Sequence, residues 1–483
     1  LIASLKVGLD EGLKKRLKDF SLNSSAILFL IGFILGTIPV LFAAIQPWVW
    51  SVYTISIHIS FLLLLWQNRC GKIFVPSRIF FISAGTFLLI TLLQNLPLPP
   101  VILSSLSPLR FKLLADSRAI IDEPLSWQPL SYSPQSSLSL WTFLLSLAMF
   151  FLVFLNCCSS RRKLKFFIWI ILGVATMEAL YGLIQALIPT LGTLWVDYYR
   201  SALGNARGTF INRNHFAGFI EMIWPLGLGY TLAQGNWRKE FRFVDLIATE
   251  RPSQQFLLSI LLVIMLLALL FSKSRAGITG AFIGFMIFVA LMRTGNRRLP
   301  AGFWVMTGAI VVLIIYYSFQ IGVDPIIKRF LMISGENPRL DRWRDSLVIL
   351  KDHPLGIGLG TFKQVYPIYK VSTISDGVTF YAHNDYLQLL VETGWIGFLT
   401  LVGGFSIFIV KSIRKLKNVH IPDDPLRFFL AVGALSGLIS IAFHSFFDFN
   451  LQIPANCVYF VTLIAIVHIC LFEGKISHKH THT

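Results

Sequence analysis

Long apolar runs separated by short polar or basic segments dominate this chain. "FLLSILLVIMLLALLF" and "AFIGFMIFVALM" approach the ~20 residues a helix needs to cross a bilayer core. The runs are continuous and do not alternate, which predicts helices and not the strands of a membrane barrel. Hydropathy and helix breakers together predict about twelve spans, at roughly 24–45, 48–67, 79–95, 138–157, 166–187, 215–234, 255–272, 277–293, 300–320, 394–411, 427–446 and 455–473. The expected fold class is all-α, a polytopic integral membrane protein with residues 1–483 as one membrane-embedded domain. Two longer polar segments stand out. Segment 96–137, rich in Pro, Ser and Leu, reads as a rim on the outer face. Segment 321–382 reads as a large outer loop, with helix potential in "RLDRWRDSLVILKD" and a flexible turn in "HPLGIGLGTF".

Composition agrees with that class. Hydrophobic residues make up 55% and charged residues only 14%, against about 25% charged in soluble domains. The net charge of +18 calls for no nucleic-acid partner, because basic residues flank spans on the cytoplasmic side and no basic recognition motif occurs. With both termini inside, "KKRLK", "RCGKIFVPSR", "SSRRKLK", "NWRKEFR", "RTGNRR" and "KSIRKLK" all fall in cytoplasmic segments. "LKVGLDEGLKKRLKDF" reads as a charged lead-in to the first span and not as a cleavable signal. The five cysteines, Cys70, Cys157, Cys158, Cys457 and Cys470, form no CxxC pair and read as small apolar fillers at span ends.

Basic residues on the outer side oppose the topological bias, so they need another explanation. Arg207 and Arg213 precede the sixth span in "RGTFINRNHFAG", with Asn212, Asn214 and His215 between and after them. Lys273 and Arg275 occupy the tight turn "SKSRAG". Arg339, Arg342 and Arg344 lie in "RLDRWR" with Trp343. His383, Asn384 and Asp385 enter a span in "AHNDYLQ", and His444, Asp448, Asn450 and Asn456 surround the last outer turn. Any one arginine could simply snorkel to headgroups, and an Asn at a span end is often a helix cap. Gathered on one face, they suit an anionic headgroup such as pyrophosphate, because the guanidinium fork matches phosphate oxygens and keeps its charge. That face carries no DxD pair or dense carboxylate cluster for Mg²⁺ or Mn²⁺, so no metal and no cofactor is expected there, and guanidinium groups would meet the charge of a leaving phosphate. If 384–394 is helical, Asn384, Gln388 and Glu392 share one quadrant of its surface.

"HNDYLQLLVETGWIG", preceded by "RLDRWRDSLVILKDHPLGIGLGTF", resembles the signature region of the O-antigen ligase and O-antigen polymerase superfamily. "RGTFINRNHFAG" and "SRAG" fit the same pattern, so the resemblance covers roughly 200–460. It implies an inverting membrane glycosyltransferase of the GT-C type, multi-pass in the bacterial inner membrane with its active site facing the periplasm. It implies an undecaprenyl-pyrophosphate-linked glycan as donor and the lipid A core or another glycan as acceptor, with membrane lipids around it. By that resemblance His383 is the essential histidine, and Arg275 with Arg339 or Arg342 binds phosphate. Arg207, Asn212, Arg213, Asn214, His215, Lys273, Trp343, Asn384, Asp385 and Asp448 are the further substrate-binding candidates. The motifs leave ligase and polymerase both open, and leave the oligomeric state open. A transporter or flippase of lipid-linked sugars is the rival of another class. Transporters bury polar sites near mid-membrane, whereas the middles of these spans read as almost free of charge. A non-catalytic assembly partner would leave the one-sided arginines unexplained.

Overall fold

The computed structural model describes residues 11–68, 78–194, 204–234, 250–294, 338–371, 379–419 and 424–472, with isolated positions between 307 and 316 and at 421. Among the described residues the regular structure is helical, apart from one isolated β-bridge. In chain order the helices are α1 Glu11–Thr37, α2 Pro47–Gln67, α3 Arg78–Leu93, α4 Pro100–Leu106, α5 Pro108–Ile120, α6 Pro134–Cys157, α7 Arg161–Leu187 and α8 Arg213–Ala233. Then follow α9 Glu250–Phe271, α10 Arg275–Met292, α11 Pro338–Asp352, α12 Phe362–Tyr369, α13 Asp385–Leu416, α14 Pro425–His444 and α15 Pro454–Leu471. Among the described residues nine helices are long and apolar enough to cross a membrane, and Ser24–Thr37 and Phe80–Leu93 are shorter apolar helices. This is a polytopic membrane protein. The span expected at 300–320, the first part of the 321–382 loop and Cys70 lie outside the described residues.

Local sequence explains where the helices start. Proline, which has no N–H to lose, occupies the first turn of α2, α4, α5, α6, α14 and α15. Side-chain oxygens cap others: Asn212 accepts from the Asn214 N–H, Ser274 from Gly277, Asn384 from Leu387 and Asp424 from Arg427. Two boundaries differ from the expected ones. The first span stops at Thr37 and not near 45, because Pro39 disfavours helical geometry at Ile38. The span expected from 394 is the continuation of α13, which begins at Asp385 and bends at Gly394 (φ 67°, ψ −177°).

The centre of the bundle is α8, α14 and α15, whose apolar windows are 94%, 78% and 89% buried, against 22% for α13. A hydrophobic driving force between helices fades in lipid, so close backbone approach has to replace it. On α14, Gly433 and Gly437 are four apart and face α8; a Cβ at either would run into the carbonyl of Pro225 or Met222. Farther out, Trp141 of α6 donates to the Leu88 carbonyl of α3 (2.8 Å), and Ser83 of α3 donates to Thr400 of α13 (2.7 Å).

Candidate functional site

At one end of the bundle, the starts of three helices meet around Asp448 in the turn between α14 and α15. The start of α13 supplies His383, whose Nδ1 lies 3.0 Å from Asp448 Oδ1. The start of α8 supplies Asn214, whose Nδ2 donates to Oδ2 at 2.6 Å, and His215, whose Nε2 lies 3.9 Å from Oδ1. The first turn of α11 supplies Arg339, which reaches Oδ2 at 3.5 Å and donates to the Phe447 carbonyl at 2.6 Å. The Phe449 N–H completes the ring of donors at 3.0 Å. Burial alone would raise the Asp448 carboxyl. The hydrogen bond with His383, the neighbouring His215 and the Arg339 guanidinium outweigh it and hold the group well below the usual carboxylate range.

The aromatic ring of Phe449 fixes the two imidazoles. His215 and His383 stand edge-on to it at 4.5 and 4.7 Å between centroids, and Tyr381 stacks on it at 4.1 Å. His383 sits in the left-handed region (φ 55°), a conformation that a side-chain-bearing residue keeps only when its surroundings enforce it. Those surroundings are visible. Trp343 donates to the Ala382 carbonyl (3.2 Å), Gln388 accepts from the Ala382 N–H (3.1 Å), and the Asp385 N–H donates to Ser445 (2.8 Å). The Asp385 carboxylate is buried, accepting from Ser445 Oγ and the Leu451 N–H. Trp343, Asn384 and Asp385 thus hold the backbone around His383 and Asp448. Asn212 likewise acts as the cap of α8.

A second basic group lies beside the first. Arg213 opens α8 next to Asn214, and its charge acts on Lys273. Lys273, also left-handed (φ 55°), donates to the Gly204 carbonyl at 2.8 Å; burial, and then Arg213, lower its pKa. Arg275 follows as the exposed first residue of α10. Arg207 is buried, with Nε and Nη1 finding no hydrogen-bond partner among the described residues, and burial lowers its pKa. Arg342, half-buried one turn after Arg339, feels both Arg339 and Asp448, and burial lowers its pKa as well.

Buried carboxylates within the spans escaped the sequence reading. Glu178 of α7 accepts from Thr209 through both N–H and Oγ1 at 2.8 Å. Gln185, two turns on, accepts from the Arg207 N–H and donates to Gly208. Together they clamp the loop that carries Arg207. Glu221 of α8 pairs with His444 at 3.0 Å, both fully buried. Their signal was available: a lone acid in an apolar run is costly and marks a specific partner. Glu221 lies about 12 Å of helix rise from the start of α8, close to the middle of that span, so the expectation that the span middles are almost free of charge does not hold for α8. The "GIGLG" turn is also not loose. The Ile357 and Gly358 N–H groups donate to the Val391 and Glu392 carbonyls, and the Glu392 carboxylate accepts from Gly360.

Two comparisons bear on this arrangement. Over 170 residues the chain is 27% identical to the exopolysaccharide production protein ExoQ of Rhizobium meliloti (strain 1021), a match covering 34% of this chain. The chain spans only 38% of that relative's length. Residues 260–402 match the O-antigen ligase family, and that stretch holds Lys273, Arg275, Arg339, Arg342 and His383. The matched stretch 260–402 meets Asn214 and Asp448 from segments on either side of it.

Proposed function

We propose that the chain is an O-antigen ligase-type glycosyltransferase of the GT-C kind, inverting and metal-independent, working at the periplasmic face of the bacterial inner membrane. It transfers a glycan from undecaprenyl pyrophosphate to an acceptor hydroxyl, the lipid A core in the first instance. The observation that carries this reading is the His383–Asp448 pair flanked by guanidinium groups. An ionised Asp448 accepts from Nδ1–H and selects the tautomer whose Nε2 lone pair is available as a base. The acceptor oxygen attacks the anomeric carbon and gives its proton to Nε2. The bond from that carbon to the pyrophosphate oxygen breaks, and its electron pair leaves with the pyrophosphate. Arg275 and Arg339 or Arg342, assisted by Arg207, Arg213 and Lys273, stabilise the charge that develops there. Binding donor and acceptor in one layer makes the encounter local.

A second reading, polymerisation of a repeat unit, is favoured by the likeness to an exopolysaccharide production protein. Reconstitution with an undecaprenyl-pyrophosphate-linked repeat, with and without a lipid A–core acceptor, separates the two. Transfer only with the core supports the ligase; a ladder from donor alone supports the polymerase. His383→Ala or Arg275→Ala is expected to lower turnover about a hundredfold or more. Less than about threefold loss from both would overturn the chemistry, since a lost catalytic donor or base costs at least tenfold.

A further inference from the structure

Segment 94–133 leaves the end of α3 and returns at the start of α6, and the Trp141–Leu88 hydrogen bond places those two ends side by side. The excursion therefore starts and finishes at one level of the membrane. Several of its polar groups turn inward, while Lys112, Asp116, Ser117, Asp122 and Glu123 stay exposed. Leu98 and Gln128 exchange backbone hydrogen bonds at 3.0 and 3.1 Å, and the Ser131 N–H donates to Gln94. Arg110 donates to the Pro129 carbonyl at 2.8 Å, with its guanidinium 4.5 Å from the Tyr132 ring centre. His353, at the end of α11, meets Ser107, Tyr132 and Tyr369 at 3.3, 3.2 and 3.0 Å.

Its apolar groups turn outward. Val101 and Ile102 of α4, Leu109, Leu113 and Ile120 of α5, and Trp127 are all exposed, Val101 by 78% and Ile120 by 84%. The three α5 residues fall within about 40° of the helix wheel, while buried Arg110 lies to one side of them, about 60° from Leu113. Leu89 and Leu93 of α3, a shorter apolar helix that leads into this segment, are uncovered too. Water is a poor partner for so large a patch.

We propose that α4 and α5 lie in the plane of the membrane, with this stripe sunk into the interfacial layer of the leaflet at the site's end of the bundle. Lipid acyl chains are the partner of the surface. Asp116 falls within the same stripe and Lys112 lies one turn before it, which sets the depth at the headgroup boundary and not in the hydrocarbon. Trp127 suits that boundary, with an apolar ring and one N–H. Because His353 fastens this hairpin to α11, the lipid surface also sets the height of the helix that carries Arg339 and Arg342. This last consequence rests on the proposed transfer reaction; the seating itself does not.

The test uses the unaltered protein in vesicles of phosphatidylethanolamine and phosphatidylglycerol containing a trace of photoactivatable phospholipid. One probe carries the diazirine near the headgroup end of the acyl chain, the other at its tip. Peptides from 100–127 are expected to take the first label and to lose it with the second, while α6 and α13 take both. Spans labelled with 100–127 unlabelled would overturn the proposal. Equal labelling by the tip probe would overturn the interfacial depth. Chain-to-chain crosslinks through this face in place of lipid adducts would assign it to a second copy and overturn it too. Glycan transfer is not read, so the outcome is independent of the chemistry proposed for His383.

Discussion

Asp448 uses both carboxylate oxygens, Oδ1 toward His383 and Oδ2 toward Asn214 and Arg339. Asp448→Asn keeps the shape but removes the charge and turns one acceptor into a donor. Turnover is expected to fall about 10²-fold, because the His383 tautomer is no longer selected. The variant should also be less stable at neutral pH by about 1–3 kcal/mol, the cost of a buried polar group left badly paired. The sign of the pH dependence follows from the depressed Asp448 pKa. The stabilisation is present above the unfolded carboxyl value of about 4 and is lost as pH falls below it toward the folded value. Thermal melts in detergent should show a gap between wild type and Asp448→Asn at about pH 5 that narrows below about 4. A gap that instead widens below about 4 would contradict the ionised carboxylate. That these residues gather at one face was legible, since His383, Arg339, Asn214 and Asp448 are polar residues crowded near the ends of apolar runs. That they converge on one carboxylate was not: Asn214 and Asp448 are 234 positions apart, and no local pattern encodes such a pairing.

At the scale of elements, α13 is two helical pieces joined at Gly394, and the joint holds the loop that follows α11. The Trp395 N–H donates to Pro354 at 3.2 Å, Gln94 reaches both the Leu355 and Glu392 carbonyls, and a Cβ at Gly394 would fall inside the Leu355 backbone. Gly394→Ala combines this clash with a left-handed φ and should cost about 1–3 kcal/mol or more. It should lower the melting temperature and displace His383 and Arg339 relative to each other, so transfer activity should drop even at temperatures where the variant is folded. A full-activity, wild-type-stable Gly394→Ala would show that the joint does not position the site. The clamp on α7 gives a parallel case. Glu178→Ala removes the acceptor of the Thr209 N–H and hydroxyl, and should loosen the Arg207 loop at a cost of about 1–3 kcal/mol. Faster proteolysis within 204–212 is the readout. The apolar runs announced α1 to α3, α6 to α10 and α13 to α15, because lipid demands that backbone groups be satisfied within each segment, whereas α4, α5 and α12 carried no such run. The bend, the pinned glycine turn and the clamp were hidden because each depends on contacts between distant segments, and a breaker-rich sequence looks the same whether it is loose or docked.

Across the whole molecule the site end is defined by helix direction. Gly277 and Gly280 of α10 lie against Ala217 and Glu221 of α8, so both helices run away from the site in parallel, whereas α14 runs toward it and brings Ser440 against Gly284. Met292 therefore ends α10 at about 26 Å from Arg275 along the axis, at the opposite end of the bundle. Pro338 begins the helix that brings Arg339 back to Asp448. The span expected at 300–320, which lies outside the described residues, would return the chain to the site's side. The basic clusters follow the same division: "NWRKEFR" follows α8, "RTGNRR" follows α10 and "KSIRKLK" ends α13, all at ends remote from the site, with "SSRRKLK" at the start of α7. Lys and Arg near short loops mark the cytoplasmic side, so the site end is expected to face out. Reporter fusions check this directly. A fluorescent-protein fusion after Thr294 or Lys417 should fluoresce, and a phosphatase fusion after Asn337 or Lys370 should be active. Fluorescence at both Thr294 and Asn337 would remove the crossing at 300–320. It would leave α11 on the cytoplasmic side, and the arginines could not then meet a donor presented from the periplasm.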